Sequence, residues 1–159
     1  MWYTERIVKL SLGVGSRMFW GEYSHHLDKK GRLIIPARYR SNLPVGAVLT
    51  RGLDRNLIIF PPDAWRGIAE QLNRLPITDP KARALRRLMF SGMVELSLDR
   101  QGRILIPSYL RQYAALDGEV LIVGMETFIE LWNPDHWQAT LDGVTHALAE
   151  ADHTLILDW

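Results

Sequence analysis

HLDKKGRLIIPARYR, His26 to Arg40, returns 71 residues further on as SLDRQGRILIPSYLR, Ser97 to Arg111. Leu27, Asp28, Gly31, Arg32, Ile35, Pro36 and Arg40 reappear as Leu98, Asp99, Gly102, Arg103, Ile106, Pro107 and Arg111. Lys29 becomes Arg100, so a positive charge follows the aspartate in both stretches. One extra residue then moves the offset to 72, and Gly46, Val48, Gly52, Pro62, Asp63 and Trp65 match Gly118, Val120, Gly124, Pro134, Asp135 and Trp137. The chain is therefore one small module duplicated. Two copies with so long a period do not make a solenoid. A unit of roughly fifty residues rarely buries enough apolar surface alone. The copies are expected either to share one core or to pair each like half of a dimer.

Each copy reads as β-turn-β-α-β-turn-β-α, a strand-rich α+β unit. Phe19 to Leu27 and Met93 to Leu98 read as strands entering Asp-x-x-Gly turns, Asp28 to Gly31 and Asp99 to Gly102. Asp at the first position of such a turn accepts from backbone N–H groups, and Gly at the last tolerates positive φ. Short strands follow and stop at Pro36 and Pro107. Proline suits a first helical turn, which predicts helices over Pro36 to Leu43 and Pro107 to Ala115. Hairpins are expected for Ala47–Thr50 with Leu57–Phe60, and for Val120–Val123 with Phe128–Trp132. Helices should open at Pro62 and Pro134 and end near Leu75 and Leu141. Asp79 can cap a connecting helix through about Phe90.

The 159 residues hold 47% hydrophobic and 23% charged side chains, an ordinary globular balance that excludes wholesale disorder. Cysteine is absent, which removes disulfides, thiolate zinc sites and thiol catalysis. No stretch approaches the ~18 apolar residues of a membrane span, and the first residues make a poor signal peptide. The expected location is cytoplasmic.

The net charge of +1 conceals a split. All 19 basic residues and nine acids lie between Met1 and Arg111, while Gln112 to Trp159 holds nine acids and no Lys or Arg. Such asymmetry hints at a polyanion-binding face, unless the fold mixes the halves and the fields cancel. Lys29, Lys30, Arg32, Arg38 and Arg40 form one basic cluster; Lys81, Arg83, Arg86 and Arg87 form another, read as a solvated helix surface.

Asp28 and Arg32 can pair across their turn, as can Asp99 and Arg103. Turn-holding explains the aspartates, but not the charges at the tips. Charged tips on two-stranded ribbons suit the B-DNA major groove, roughly 12 Å wide. Arginine also makes bidentate contacts with guanine or phosphate.

From Met18 to about Trp137 the chain resembles the MraZ family. The likeness rests on the start MFWGEYSHHLDKKGRLIIPARYR, the doubled Asp-x-x-x-Arg motif followed by Ile-Pro, and the spacing of the copies. That resemblance implies a bacterial transcriptional regulator built from tandem AbrB-like (SpoVT/AbrB) swapped-hairpin, double-split βαβ modules about an internal pseudo-two-fold axis. It implies ring homo-oligomers on short direct repeats in the promoter of the division and cell-wall gene cluster, including the regulator's own gene, and association with the nucleoid. It places Asp28, Arg32, Asp99 and Arg103 on the DNA-facing surface. The DNA-contacting set is then Arg32 and Arg103, extended by turn geometry to Lys29, Lys30 and Arg100, with Asp28, Gly31, Asp99 and Gly102 holding the turns. Gln101 replaces Lys30 in the second copy, so that loop is one charge weaker.

The expected divisions are 1–17, an extra N-terminal segment; 19–75, the first module; 76–91, a connecting helix; 92–141, the second module; and 142–159, a tail that either docks on a neighbour or frays. The first segment reflects an upstream start codon, with Met18 the initiator, or an arm whose Arg6, Lys9 and Arg17 touch DNA. Expected partners are double-stranded promoter DNA and the chain itself, with no cofactor, metal, membrane or small-molecule substrate.

Two other readings compete with the regulator. A metal-dependent enzyme would draw on His25, His26 and Asp28, but adjacent strand residues point to opposite faces, and the second copy has Leu96 and Ser97 there. A purely structural ring would use tryptophans as anchors; the matched Trp65 and Trp137 are read instead as packing where the repeats meet.

Overall fold

The computed structural model describes residues 19–150. Residues 1–18 and 151–159, with the N-terminal segment, Met18 and the end of the tail, lie outside the described residues.

The first copy supplies β1 (Glu22–His26), β2 (Arg32–Ile34), α1 (Ala37–Arg40), β3 (Val48–Arg51), β4 (Leu57–Phe60) and α2 (Pro62–Arg74). The connecting helix is α3 (Pro80–Gly92), and the Asp79 side chain caps it by accepting from the Lys81 backbone N–H. The second copy supplies β5 (Val94–Glu95), β6 (Arg103–Leu105), α4 (Ser108–Tyr113), β7 (Glu119–Gly124), β8 (Ile129–Trp132) and α5 (Pro134–Glu150). No helix of the described residues is long and apolar enough to cross a membrane.

The strands exchange between copies. The six-stranded antiparallel sheet runs β1-β7-β8-β4-β3-β5. The opening strand of each copy thus lies beside the other copy's hairpin, and the hairpins meet at β4 and β8. Exchanging the copies reverses this order onto itself. The second sheet is the antiparallel pair β2–β6, one strand from each copy. Its register centres on Leu33 opposite Ile104, and that of β4–β8 on Ile58 opposite Glu130. Both are positions equivalent by the repeat, so a local two-fold axis passes through each pair.

Burial explains the exchange. Leu33, Ile35 and Tyr39 share one core with Ile104, Ile106 and Leu110, all essentially inaccessible to solvent. β2 and β6 have only three residues each, too few for either copy to close a core alone. Of the two arrangements left open, the shared core is the one adopted.

The charged turns do not cap hairpins. β1 belongs to the large sheet and β2 to the small one, so each Asp-x-x-Gly turn carries the chain between sheets. The ribbon is built from both copies because, among the described residues, each β2-type strand pairs with its counterpart in the other repeat.

Several elements also differ in length. β1 begins at Glu22, Phe19 contributing only a bridge to Glu126; β5 has two residues. The helices after Pro36 and Pro107 are shorter than predicted. α5 continues past Leu141 to Glu150, carrying Gly143 within it, because no proline follows Leu141 as Pro76 follows the end of α2. Trp65 and Trp137 do not meet. Trp65 packs with Phe60 and Phe90, and Trp137 lies 5.4 Å from the Trp132 ring and donates to Glu22.

Candidate nucleic-acid interface

The two turns are built alike. In the first, Asp28 Oδ1 accepts from the Lys30 and Arg32 backbone N–H groups, both at 2.9 Å, and Oδ2 accepts from Arg32 Nε at 2.7 Å. In the second, Asp99 Oδ1 accepts from Gln101 and Arg103 at 2.9 Å, and Oδ2 from Arg103 Nε at 2.8 Å. The residue after Lys29 or Arg100 contributes its backbone to the turn, so Lys30 and Gln101 are equivalent structurally although their charges differ.

These bonds act on the ionised carboxylate. The Arg32 backbone N–H, followed by the Arg32 side chain and the Lys30 N–H, holds Asp28 down from the ordinary 3.8 to about 2. Asp99 is lowered in the same way, first by the Arg103 backbone N–H. A carboxylate with a depressed folded pKa contributes stability above its unfolded value and loses it as pH falls through the folded one. Acidification from about 4 toward about 2 is therefore expected to loosen the first turn, and acidification below the ordinary carboxylate range to loosen the second. Asp28→Asn with Asp99→Asn should flatten the part of the Tm–pH curve in that window, which thermal melts across it would check.

Each turn is also clamped by an arginine of the opposite copy. A Cβ at Gly31 would sit 2.8 Å from Arg111 Cζ, and one at Gly102 would overlap the Arg40 guanidinium. Both glycines have φ near +75°, at +79° and +74°, which disfavours side chains in any case. Arg40 Nη1 reaches the Gln101 carbonyl at 3.4 Å, and Arg111 Nε donates to the Ile106 carbonyl at 3.0 Å. Arg40 and Arg111 are the positioning residues that the turn motif alone did not single out. Their signal was present, since they occupy matching positions at the end of the repeated stretch.

The clamps bring the turns together on one surface. Arg103 Nη1 lies 3.7 Å from Asp28 Oδ2, an ion pair between the copies. Arg32 and Arg103 are about one-third and one-fifth exposed, each with Nε committed to its own aspartate. Lys29, Lys30 and Arg100 are exposed at the tips. All five basic residues, Lys29, Lys30, Arg32, Arg100 and Arg103, thus border a single face formed by both repeats. The turns carry formal charges of +3 against −1 and +2 against −1. His25 and His26 stay apart from this chemistry: they are successive residues of β1, opposite Val120 and Glu119.

The duplication has a counterpart among known proteins. The family model described as "MraZ protein, putative antitoxin-like" matches residues 18–88 and, a second time, 89–158. The chain belongs to the MraZ family. Both MraZ repeats contribute one turn, one ribbon strand and one clamping arginine to the face just described. A protein of Herpetosiphon aurantiacus named "Transcriptional regulator MraZ" is 52% identical over 137 residues, covering 86% of this chain and 96% of that protein. Proteins of the same name from Thermomicrobium roseum and Roseiflexus castenholzii are 48% and 49% identical. They match 77% and 80% of this chain and 86% and 89% of their own lengths. The boundary between the MraZ repeats falls inside α3, which therefore belongs mostly to the first.

Proposed function

We propose that this MraZ-family chain is a sequence-specific DNA-binding transcriptional repressor with no catalytic role. Its target is the division and cell-wall gene cluster, including its own promoter. The observation that carries the reading is the pairing of the two Asp-x-x-x-Arg turns on one basic face, held by arginines exchanged between the copies. In each turn the aspartate fixes Nε; this leaves the outer nitrogens of Arg32, and Nη2 of Arg103, whose Nη1 faces Asp28, to meet a phosphate or guanine. Orientation in advance reduces the ordering cost of binding. Lys29, Lys30 and Arg100 add phosphate contacts, and the second turn contributes one charge fewer.

The strand exchange favours modules of the AbrB-like swapped-hairpin kind, placed at 19–75 and 92–141 with 76–91 between them. A single face offers few phosphate contacts, and each is modest and salt-dependent. A ring of identical subunits would set several faces against several direct repeats, and effective concentration would supply affinity. Repression then follows from occlusion of the promoter in the nucleoid, within the cytoplasm.

Footprinting on the DNA upstream of this protein's own gene tests the proposal. Protection of short repeats in the same orientation is expected. Absence of protection, or uniform protection without sequence preference, would overturn it.

A further inference from the structure

The duplicated halves differ in what covers their last helices. In the first copy, α2 packs beneath α3: Trp65, Ile68 and Leu72 join Leu85, Met89 and Phe90 in a second apolar cluster, and Leu72 is only 5% exposed. Its counterpart 72 residues later is Val144 on α5, which is 45% exposed. Leu141 and Leu148 flank it at 38% and 60%. Residues three and four apart share a helix face, so these three form one apolar row that no described residue covers. Asp135, Asp142 and Glu150 are the charges of α5, which has no Lys or Arg.

α3 offers the complementary surface. It carries Lys81, Arg83, Arg86 and Arg87 and no acid. Ile77, Phe90 and Ser91 join the three arginines in lining an open groove of about 360 Å³, and Ile77 is 65% exposed. The hydrogen bonds of Arg83 and Arg86 go to neutral acceptors, the carbonyls of Ile77 and Thr78 and the side chain of Asn73. An apolar floor between cationic rims fits an amphipathic acidic helix better than it fits a nucleic-acid backbone, which has no apolar row to bury.

We infer that α5 of one subunit docks in the α3 groove of a second copy of this chain. Leu141, Val144 and Leu148 lie over Ile77 and Phe90, and Asp142 and Glu150 meet Arg86 and Arg87. The contact joins different patches on the two subunits, the head-to-tail kind that propagates and, with suitable rotation, closes a ring. It thus rests on the self-assembly proposed above and names the surfaces responsible.

Two variants test it by sedimentation velocity. Arg86→Glu with Arg87→Glu blocks the groove and leaves Arg83 on its carbonyls. Val144→Asp with Leu148→Asp blocks the helix. Both pairs are at the surface, and thermal melts report whether each variant stays folded. Each variant alone should self-associate at least about 100-fold more weakly than the parent chain, as expected for central interface residues. Mixed in equal amounts, they should form a dimer that grows no further, since one intact groove and one intact helix remain. A mixture that stays monomeric overturns the inference. So does retention of parental assembly by the helix variant, the result expected if residues 151–159 of the same chain cover α5. If the parent chain is itself monomeric, the proposed self-assembly fails as well; if it assembles and the variants do too, only this interface fails.

Discussion

Charge reversal at both turns, Arg32→Glu with Arg103→Glu, is expected to weaken binding to promoter DNA by at least about a thousandfold. Each reversal removes a cation and places an anion where phosphate would lie. The two losses fall on one face, and every face of an assembly carries both, so they compound. Single reversals should give intermediate losses, since the other turn stays charged. The variants also remove the Nε donors from Asp28 and Asp99, and the turns will be less firmly held. The remaining hydrogen bonds to each Oδ1 come from backbone N–H groups, which the substitutions leave in place. Circular dichroism should therefore show the parental fold, and fluorescence anisotropy with a labelled duplex should show the loss of binding.

Gly124→Ala is expected to be the most damaging of the small substitutions. A Cβ there would overlap the Trp20 backbone nitrogen and the Phe19 carbonyl carbon. These are backbone atoms with no rotamer into which to retreat. Gly124 also donates to the Gly21 carbonyl at 2.9 Å, next to the Phe19–Glu126 bridge. Pushing this segment outward would open the cluster in which Phe19 and Tyr23 each pack edge-on against buried Tyr39. Overpacking of this kind costs about 3 kcal/mol, equivalent to a Tm drop of roughly 10 °C for a chain of this size. Gly67→Ala in α2 is the contrasting case. Nothing lies within 4 Å of a Cβ there, and alanine in a helix interior gains roughly 0.5–1 kcal/mol over glycine. Calorimetry should thus record opposite signs for one chemical change at two glycines.

The turns were legible because their chemistry is local. Asp28 and Gly31, or Asp99 and Gly102, lie within one turn, and the hydrogen bonds that their residue types imply are those formed. The capping of α3 by Asp79 was legible for the same reason. Strand pairing was not, because it depends on which distant segment completes a surface. The pattern around Leu33 and Ile104 announces two short apolar strands but not that each is the other's partner. Arg40 and Arg111 were similarly obscured, since their roles exist only once the copies interlock. α5 outran its expected end because Leu141 resembled the finish of α2, while the Leu75–Pro76 stop has no equivalent after it.

The charge split gains a spatial meaning. Every basic residue precedes Gln112, yet the basic face is made by both repeats, because Arg100 and Arg103 open the second copy before the acidic stretch begins. Of the described acids after Gln112, Glu126, Glu130, Asp135, Asp142 and Glu150 fall on β8, α5 and the connection before β8. Asp117 and Glu119 instead sit just before and at the start of β7, where Glu119 lies opposite His26 and the Leu27 N–H donates to the Gly118 carbonyl beside the first turn.

The most direct measurement is a salt titration of binding to the DNA upstream of the protein's own gene, beside a scrambled duplex of equal length. The account predicts that the logarithm of the affinity falls linearly with the logarithm of salt concentration, and that Lys29→Gln makes the slope shallower by about one unit. It also predicts a preference of at least about a thousandfold for the native sequence. Equal affinity for both duplexes, or a slope indifferent to Lys29, would contradict it.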